Sequence, residues 1–209
     1  MTNTSDLTRG DLAKQLRDLT IPLIWGILAV ISINAVDTFF VGQLGTTQLA
    51  AMSFTFPLVA LLMSISIGLG AGATSVIARA IGEGDFEKVR RLTTDSLVLS
   101  FLIVLLLCIV GILTIDPLFR LLGATDKTLP LIREYMVIWY VGMIFVVVPM
   151  VANAAMRAAG DTVIPSYIMI LAAIINIGLD PIFIFGWGPV PRMEIEGAAV
   201  ATLIARSLT

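Results

Sequence analysis

Residues 21–42, IPLIWGILAVISINAVDTFFVG, and residues 163–186, VIPSYIMILAAIINIGLDPIFIFG, are two apolar runs, each carrying a single acid near its end. Crossing a hydrocarbon core takes about 20 apolar residues, so both runs read as transmembrane helices. The acids are Asp37 and Asp180. A carboxylate at membrane depth is expensive unless it is protonated, ion-bound or turned toward a wet interior. Two of them make ion or proton handling the leading expectation.

The rest of the chain agrees with a membrane setting. Of its 209 residues, 58% are hydrophobic and 13% charged, against about 25% charged in soluble domains, and the mean hydropathy is +1.00. The expected class is an all-α integral membrane protein. The net charge is −2 and no basic run is present, which argues against a nucleic-acid partner. The absence of histidine removes the commonest metal ligand and the usual neutral-pH proton relay. Cys108 is the single cysteine, so no internal disulfide can form. Residues 1–20, MTNTSDLTRGDLAKQLRDLT, are polar and lack the apolar core of a signal peptide, so they read as a cytoplasmic N-terminal arm.

Residues 21–209 then form one membrane lobe, with helices expected at 21–42, 50–78, 94–115, 135–156, 164–186 and 197–209. The second is long enough for tilt or extension beyond the lipid. The sixth has 13 residues before Thr209, too few to cross a ~30 Å core at 1.5 Å per residue. The expectation is a fragment: a six-helix lobe with its last helix cut short. Orientation follows from basic residues in the flanks. Arg9, Lys14, Arg17, Arg79, Lys88, Arg90, Arg91 and Arg157 fall on one side, and Arg120, Lys127, Arg133 and Arg192 on the other. Arg206 is left out, as part of the short last helix. The excess places the N-terminus in the cytoplasm.

That topology collects polar residues at one depth. Asp37 and Asp180 both lie ~24 Å along helices that run outward, and helix 6 returns inward with Thr202 in its outer half. Asn176 precedes Asp180 by four residues and shares its face. Two buried carboxylates within reach of each other cannot both carry charge cheaply, which suits a proton carrier. The same oxygens, with the Asn176 carbonyl and the Thr202 hydroxyl, also suit a hard monovalent cation. Against this stands the ordinary reading of interfacial acids and helix–helix hydrogen bonds.

Other features have plainer readings. Pro22 is either a first-turn proline, where its missing N–H costs nothing, or an internal one that bends the helix and serves as a hinge. Pro57 and Pro149 are expected to kink helices 2 and 4. Gly68 and Gly72 form GxxxG, expected to be a close-packing surface rather than a nucleotide loop. Arg79 to Asp85 and Met156 to Thr162 read as polar cytoplasmic turns with positive anchors. Asn153 is a candidate cavity residue, with helix–helix hydrogen bonding the stronger reading.

Taken together these pieces resemble the multidrug and toxic compound extrusion family, within the larger superfamily of drug, oligosaccharidyl-lipid and polysaccharide flippases. The matching residues are Asp37-Thr38-Phe39-Phe40-Val41-Gly42 with Leu44-Gly45 and Leu49-Ala50-Ala51, Ala78-Arg79 with Gly82 and Asp85, Arg157 with Gly160, Asp161 and Pro165, and Asn176 with Asp180-Pro181 and Gly197 to Thr202. The resemblance implies a twelve-helix, two-lobe antiporter in the inner (cytoplasmic) membrane, of which this chain is the N-terminal lobe and the C-terminal lobe is missing. It would export cationic or amphipathic drugs and toxic metabolites in exchange for H⁺ or Na⁺. No cofactor and no enzymatic activity are implied. The family's ion site falls on Asp37, Asn176, Asp180 and Thr202, with Na⁺ as the metal that site would take, and a bending proline falls on Pro22. Three alternatives are a flippase for a lipid-linked sugar or lipid, an intramembrane aspartyl protease and a non-transporting scaffold. The protease lacks support because Ala-Val-Asp and Ile-Gly-Leu-Asp do not match its Tyr-Asp and Gly-x-Gly-Asp contexts.

Overall fold

The computed structural model describes residues 11–187 and 190–208; Arg9 of the charge count and Thr209 lie outside the described residues. Among the described residues every regular element is a helix: α1 (Leu12–Leu44), α2 (Thr46–Gly82), α3 (Phe86–Leu121), α4 (Leu129–Ala158), α5 (Val163–Phe185) and α6 (Glu194–Ser207). The first five are long and apolar enough to cross a membrane.

All five long helices were expected, but four outrun their apolar cores. Hydrophobicity marks the lipid zone, whereas a helix ends where its hydrogen-bond ladder is capped. The clearest case is α1, which starts at Leu12 instead of residue 21. The Asp11 carboxylate accepts a hydrogen bond from the Ala13 N–H at 3.0 Å, satisfying one of the open donors of the first turn. Part of the polar arm is thus helical, and Pro22 is internal to α1. The same device starts α3 early, where Asp85 accepts from the Lys88 N–H at 2.9 Å. It also starts α5, where Asp161 accepts from the N–H groups of Val163 and Ile164 at 3.0 and 3.1 Å. Both expected polar turns therefore act as helix caps. Gly84 and Gly160 precede these acids with φ of 74° and 85°, left-handed values that glycine adopts without strain.

In the packing, α1 lies chiefly on α5, α4 touches α2 and α3, and α6 wedges between α4 and α5. Phe119, Ile132, Met136, Ile77 and Val104 fill the core between α2, α3 and α4. Arg133 of α4 ties to Asp116 of α3 by an ion pair. Leu99, Leu102, Leu106, Ile109 and Leu113 on α3 stand exposed. In water such a patch would be an aggregation surface; toward lipid it is what the hydrocarbon requires.

Close helix contacts are made by glycines, but not by the expected pair. Gly68 and Gly72 face open space; it is Gly70, between them, where an added Cβ would stand 3.4 Å from the Ala154 Cβ. A Cβ on Gly142 would stand 1.9 Å from a Leu203 methyl, and one on Gly111 2.2 Å from the Tyr140 ring. Gly197 is the tightest against backbone: a Cβ there would lie 2.6 Å from the Phe183 carbonyl carbon and oxygen. Backbone cannot swing aside as a side chain can, so Gly197 sets the approach of α6 to α5.

Gly197→Ala should destabilise the fold by about 1–3 kcal/mol, the usual range for overpacking. Gly72→Ala should stay within about 0.5 kcal/mol of the parent. Unfolding followed by circular dichroism in detergent micelles checks the contrast; equal midpoints for the two variants would show that α6 does not rest on the α5 backbone at Gly197.

Candidate functional site

The four polar residues gathered by topology do meet. Asp180 and Asn176 come from α5, one turn apart, and both are fully buried; Asp37 comes from α1 and is 8% exposed. Thr202 reaches them from α6. The Asn176 Nδ2 donates to Asp180 Oδ1 at 3.3 Å and to Thr202 Oγ1 at 3.2 Å. Thr202 Oγ1 donates in turn to Asp37 Oδ2 at 3.3 Å. A continuous hydrogen-bonded chain therefore runs Asp180–Asn176–Thr202–Asp37 and joins three helices. The two carboxyls are also close enough to interact directly.

The donors in this chain are used up within it, while acceptors are left over. Asp37 Oδ1, Asn176 Oδ1 and Asp180 Oδ2 are buried without a hydrogen-bond partner among the described residues. Buried polar atoms are nearly always satisfied, and an acceptor left bare there costs about 1–3 kcal/mol. Three oxygens with no donor among them call for positive charge: a proton on a carboxyl, or a small hard cation. The same residues are poor ligands for a transition metal. Among the described residues no three His, Cys, Asp or Glu come together.

A cavity of about 330 Å³ opens beside the site, lined by Asp37, Thr202, Asn34, Tyr135, Trp139 and Arg206 together with apolar residues of α1 and α2. Only Asp37 and Thr202 of the four face it; Asp180 and Asn176 lie behind them. Tyr135 and Trp139 were not singled out in the sequence. They are four residues apart on α4, and the Trp139 Nε1 donates to the Tyr135 hydroxyl at 3.0 Å. The available signal was that i, i+4 spacing of two amphipathic aromatics in an apolar span. Asn34 lies three residues before Asp37, on the same face, and its side chain donates to the Val30 carbonyl at 3.2 Å.

A second cavity, about 370 Å³, adjoins the first and shares Val30, Met63, Val146 and Arg206 with it. Asn153, for which helix–helix hydrogen bonding was the stronger expectation, lines it. So does Arg157, which was assigned to a cytoplasmic turn. It sits instead in the last turn of α4 and lines the cavity wall. Arg206, set aside in the charge count, is one turn beyond Thr202 and shares its helix face. Pro22 is remote from the oxygens; it lines a shallow groove with Trp25 of α1 and Val163, Ser166 and Tyr167 of α5. At that point α1 and α5 are close, since a Cβ on Gly26 would come 3.3 Å from the Ser166 Cα.

Comparison with known proteins gives this arrangement its context. The chain is 45% identical over 205 residues to the FAD transporter of Shewanella oneidensis, covering 98% of this chain and 45% of that protein. It is 28% identical to the multidrug export protein MepA of Staphylococcus aureus, covering 92% of this chain and 42% of that protein. Among solved structures it superposes on the Vibrio cholerae MATE transporter VcmN in its bent form with a TM-score of 0.88 and 36% identity, over 100% of this chain and 45% of that one. The chain thus spans about half the length of the curated relatives it matches, as a single lobe would. The MatE family model matches residues 22–182, more than half of the chain, and the chain belongs to that family of membrane transporters.

Proposed function

We propose that this chain is the ion-coupling lobe of a secondary active exporter, in which Asp37, Asn176, Asp180 and Thr202 bind H⁺ or Na⁺ and the ion's inward movement drives cargo out. The three buried oxygens without donors carry this reading. They lie on α1 and α5 and are tied through Thr202 of α6, so loading and unloading a cation changes the electrostatics holding three helices together. Asp37 is the entry point, being the acid that faces the cavity, and Asp180 is the partner held behind it.

Exchange requires that ion and cargo bias the same conformational equilibrium, and the coupling is reciprocal. Helix α1 is the element suited to carry that bias. It holds Asp37, lines both cavities, and contains Pro22. A proline inside a helix lacks its N–H, leaving the Asp18 carbonyl without its ladder partner and lowering the resistance to bending. A hinge at Pro22 would let ion occupancy at Asp37 re-aim the cavity-lining turns of α1. The bent form of the similar Vibrio protein supports this mechanical reading. The N-terminus lies in the cytoplasm of a bacterial inner membrane, and a second lobe completes the cargo path. The cargo is an amphipathic organic molecule, in keeping with the FAD transporter and the multidrug export protein among the named relatives.

In proteoliposomes holding the lobe together with its second lobe, Asp37→Asn should insert normally yet lose cargo efflux driven by an imposed gradient, by tenfold or more. Imposing pH and Na⁺ gradients separately identifies the coupling ion. Undiminished efflux in Asp37→Asn would sink the coupling role.

Thr202→Val keeps the shape of the side chain but removes the hydroxyl that bridges α5 to α1. It should lower stability by about 1–2 kcal/mol, because the Asp37 Oδ2 loses its donor, and weaken ion dependence of efflux without abolishing insertion. Thermal unfolding measured with and without the coupling ion tests this: the ion-induced rise in midpoint should shrink in the variant, and an unchanged rise would remove Thr202 from the site.

A further inference from the structure

We propose that the cavity lined by Asn153, Arg157 and Arg206 takes an amphipathic organic anion, with the two guanidinium groups holding a phosphate or carboxylate and the apolar wall holding the hydrophobic body. The inference rests on the exporter reading for its biological sense, but not for its evidence. The cavity encloses about 370 Å³, within the usual range for small-molecule sites. Among the described residues its charged lining is Arg157 from the last turn of α4 and Arg206 from the last turn of α6, with no acid, and Asn153 adds an amide. The rest of the lining is apolar and adaptable, including Phe145, Met150 and Met169. Methionine thioethers conform to varied shapes and favour aromatic rings.

Charge decides what such a cavity accepts. Guanidinium groups stay protonated in proteins, so an organic cation entering it would meet two like charges across a low-dielectric space. An anion meets two planar donor forks, which grip phosphate or carboxylate in bidentate fashion. The two buried acids lie apart from it: Asp37 lines the neighbouring cavity and Asp180 is sealed behind it. Arg206 borders both spaces and lies within electrostatic reach of Asp37. The aromatic cavity beside Asp37, with Tyr135 and Trp139, is the place a cation would choose. Size, lining and charge therefore divide the lobe into a cation-accepting half and an anion-accepting half, with Arg206 as the partition.

Equilibrium dialysis with this chain in nanodiscs of zwitterionic lipid tests the assignment, using three probes that share one ring system: 1-naphthyl phosphate, 1-naphthol and (1-naphthylmethyl)trimethylammonium. The phosphate should bind at least tenfold tighter than the other two. Arg157→Gln and Arg206→Gln should each weaken the phosphate by tenfold or more, while 1-naphthol changes less than twofold; Arg157→Lys should recover part of the loss. Retained 1-naphthol binding shows that a variant keeps its cavity. If a glutamine variant loses 1-naphthol as well, the wild-type ranking and the Arg157→Lys comparison decide. Equal affinity for phosphate and 1-naphthol in the wild type, tighter binding of the ammonium probe, or phosphate affinity unmoved in both glutamine variants would each overturn the assignment. None of these outcomes touches the Asp37 coupling role, which is read from ion-driven flux.

Discussion

Hydrocarbon solvates no carboxylate, so this lobe must solvate Asp37 and Asp180 from its own atoms. It does so with one amide and one hydroxyl. Asn176 spends both donor directions, on Asp180 and on Thr202, and the Thr202 hydroxyl donates its hydrogen bond to Asp37. The geometry fixes more than the acids. Because these residues come from α5, α6 and α1, the two bonds made by Thr202, one to α5 and one to α1, tie the rotation and depth of α6 to its neighbours. The close approach of Gly197 to the Phe183 backbone serves this end, since α6 must come within reach of α5 before Thr202 can meet Asn176. Loss of that approach would separate the donors from the acids they serve.

The arrangement is incomplete by design of its atoms. A chain with two donor groups and five carboxylate or amide oxygens cannot satisfy them all, and the three bare oxygens belong to three different side chains. Were the site structural only, a lysine or a second amide would close the deficit. Leaving it open makes the network's stability depend on an added positive charge. Under the proposed coupling role this property is what is needed, because an ion can shift a conformational equilibrium only as far as it binds one state better than the other.

Much of this was legible in the sequence, for reasons that can be named. Asp37 and Asp180 stood out because lipid tolerates so few acids, and the 3.6-residue period put Asn176 with Asp180 without any tertiary knowledge. Thr202 followed from topology, since antiparallel spans bring equal depths together. What stayed hidden was what hydropathy does not encode. The start of α1 at Leu12 depends on an Asp11 cap and not on apolarity, and that start decides between the two readings of Pro22 in favour of an internal proline. The GxxxG at Gly68 and Gly72 has the right spacing, but spacing does not say which face meets a partner; Gly70, Gly111, Gly142 and Gly197 make the contacts instead. Arg157 reads from sequence as the anchor of a cytoplasmic turn, and Arg206 falls in the short last helix and outside the charge count. Their role as cavity walls required the crossing of α4 and α6 to be seen.

Arg206 shows why a lobe can be more informative than its site residues alone. Thr202 and Arg206 sit one turn apart on α6, so a helix that brings the hydroxyl to Asp37 necessarily brings the guanidinium to the boundary between the two cavities. Any rotation of α6 that relaxed the Thr202–Asp37 bond would move Arg206 across that boundary, and the reverse holds equally. Helix α1 has a matching constraint: Val30 lines both cavities, two turns before Asp37 and two turns after Pro22. Bending at Pro22 would therefore shift the shared wall and the ion-facing acid as one body. Two helices thus carry a group of the Asp–Asn–Thr network and a cavity group at fixed separation, and in a rigid helix fixed separation would convert a movement at the network into a change of cavity shape. On the proposed function, the stiffness of the α-helix, rather than any relay of side chains between distant points, is the physical link between the oxygens and the cavities.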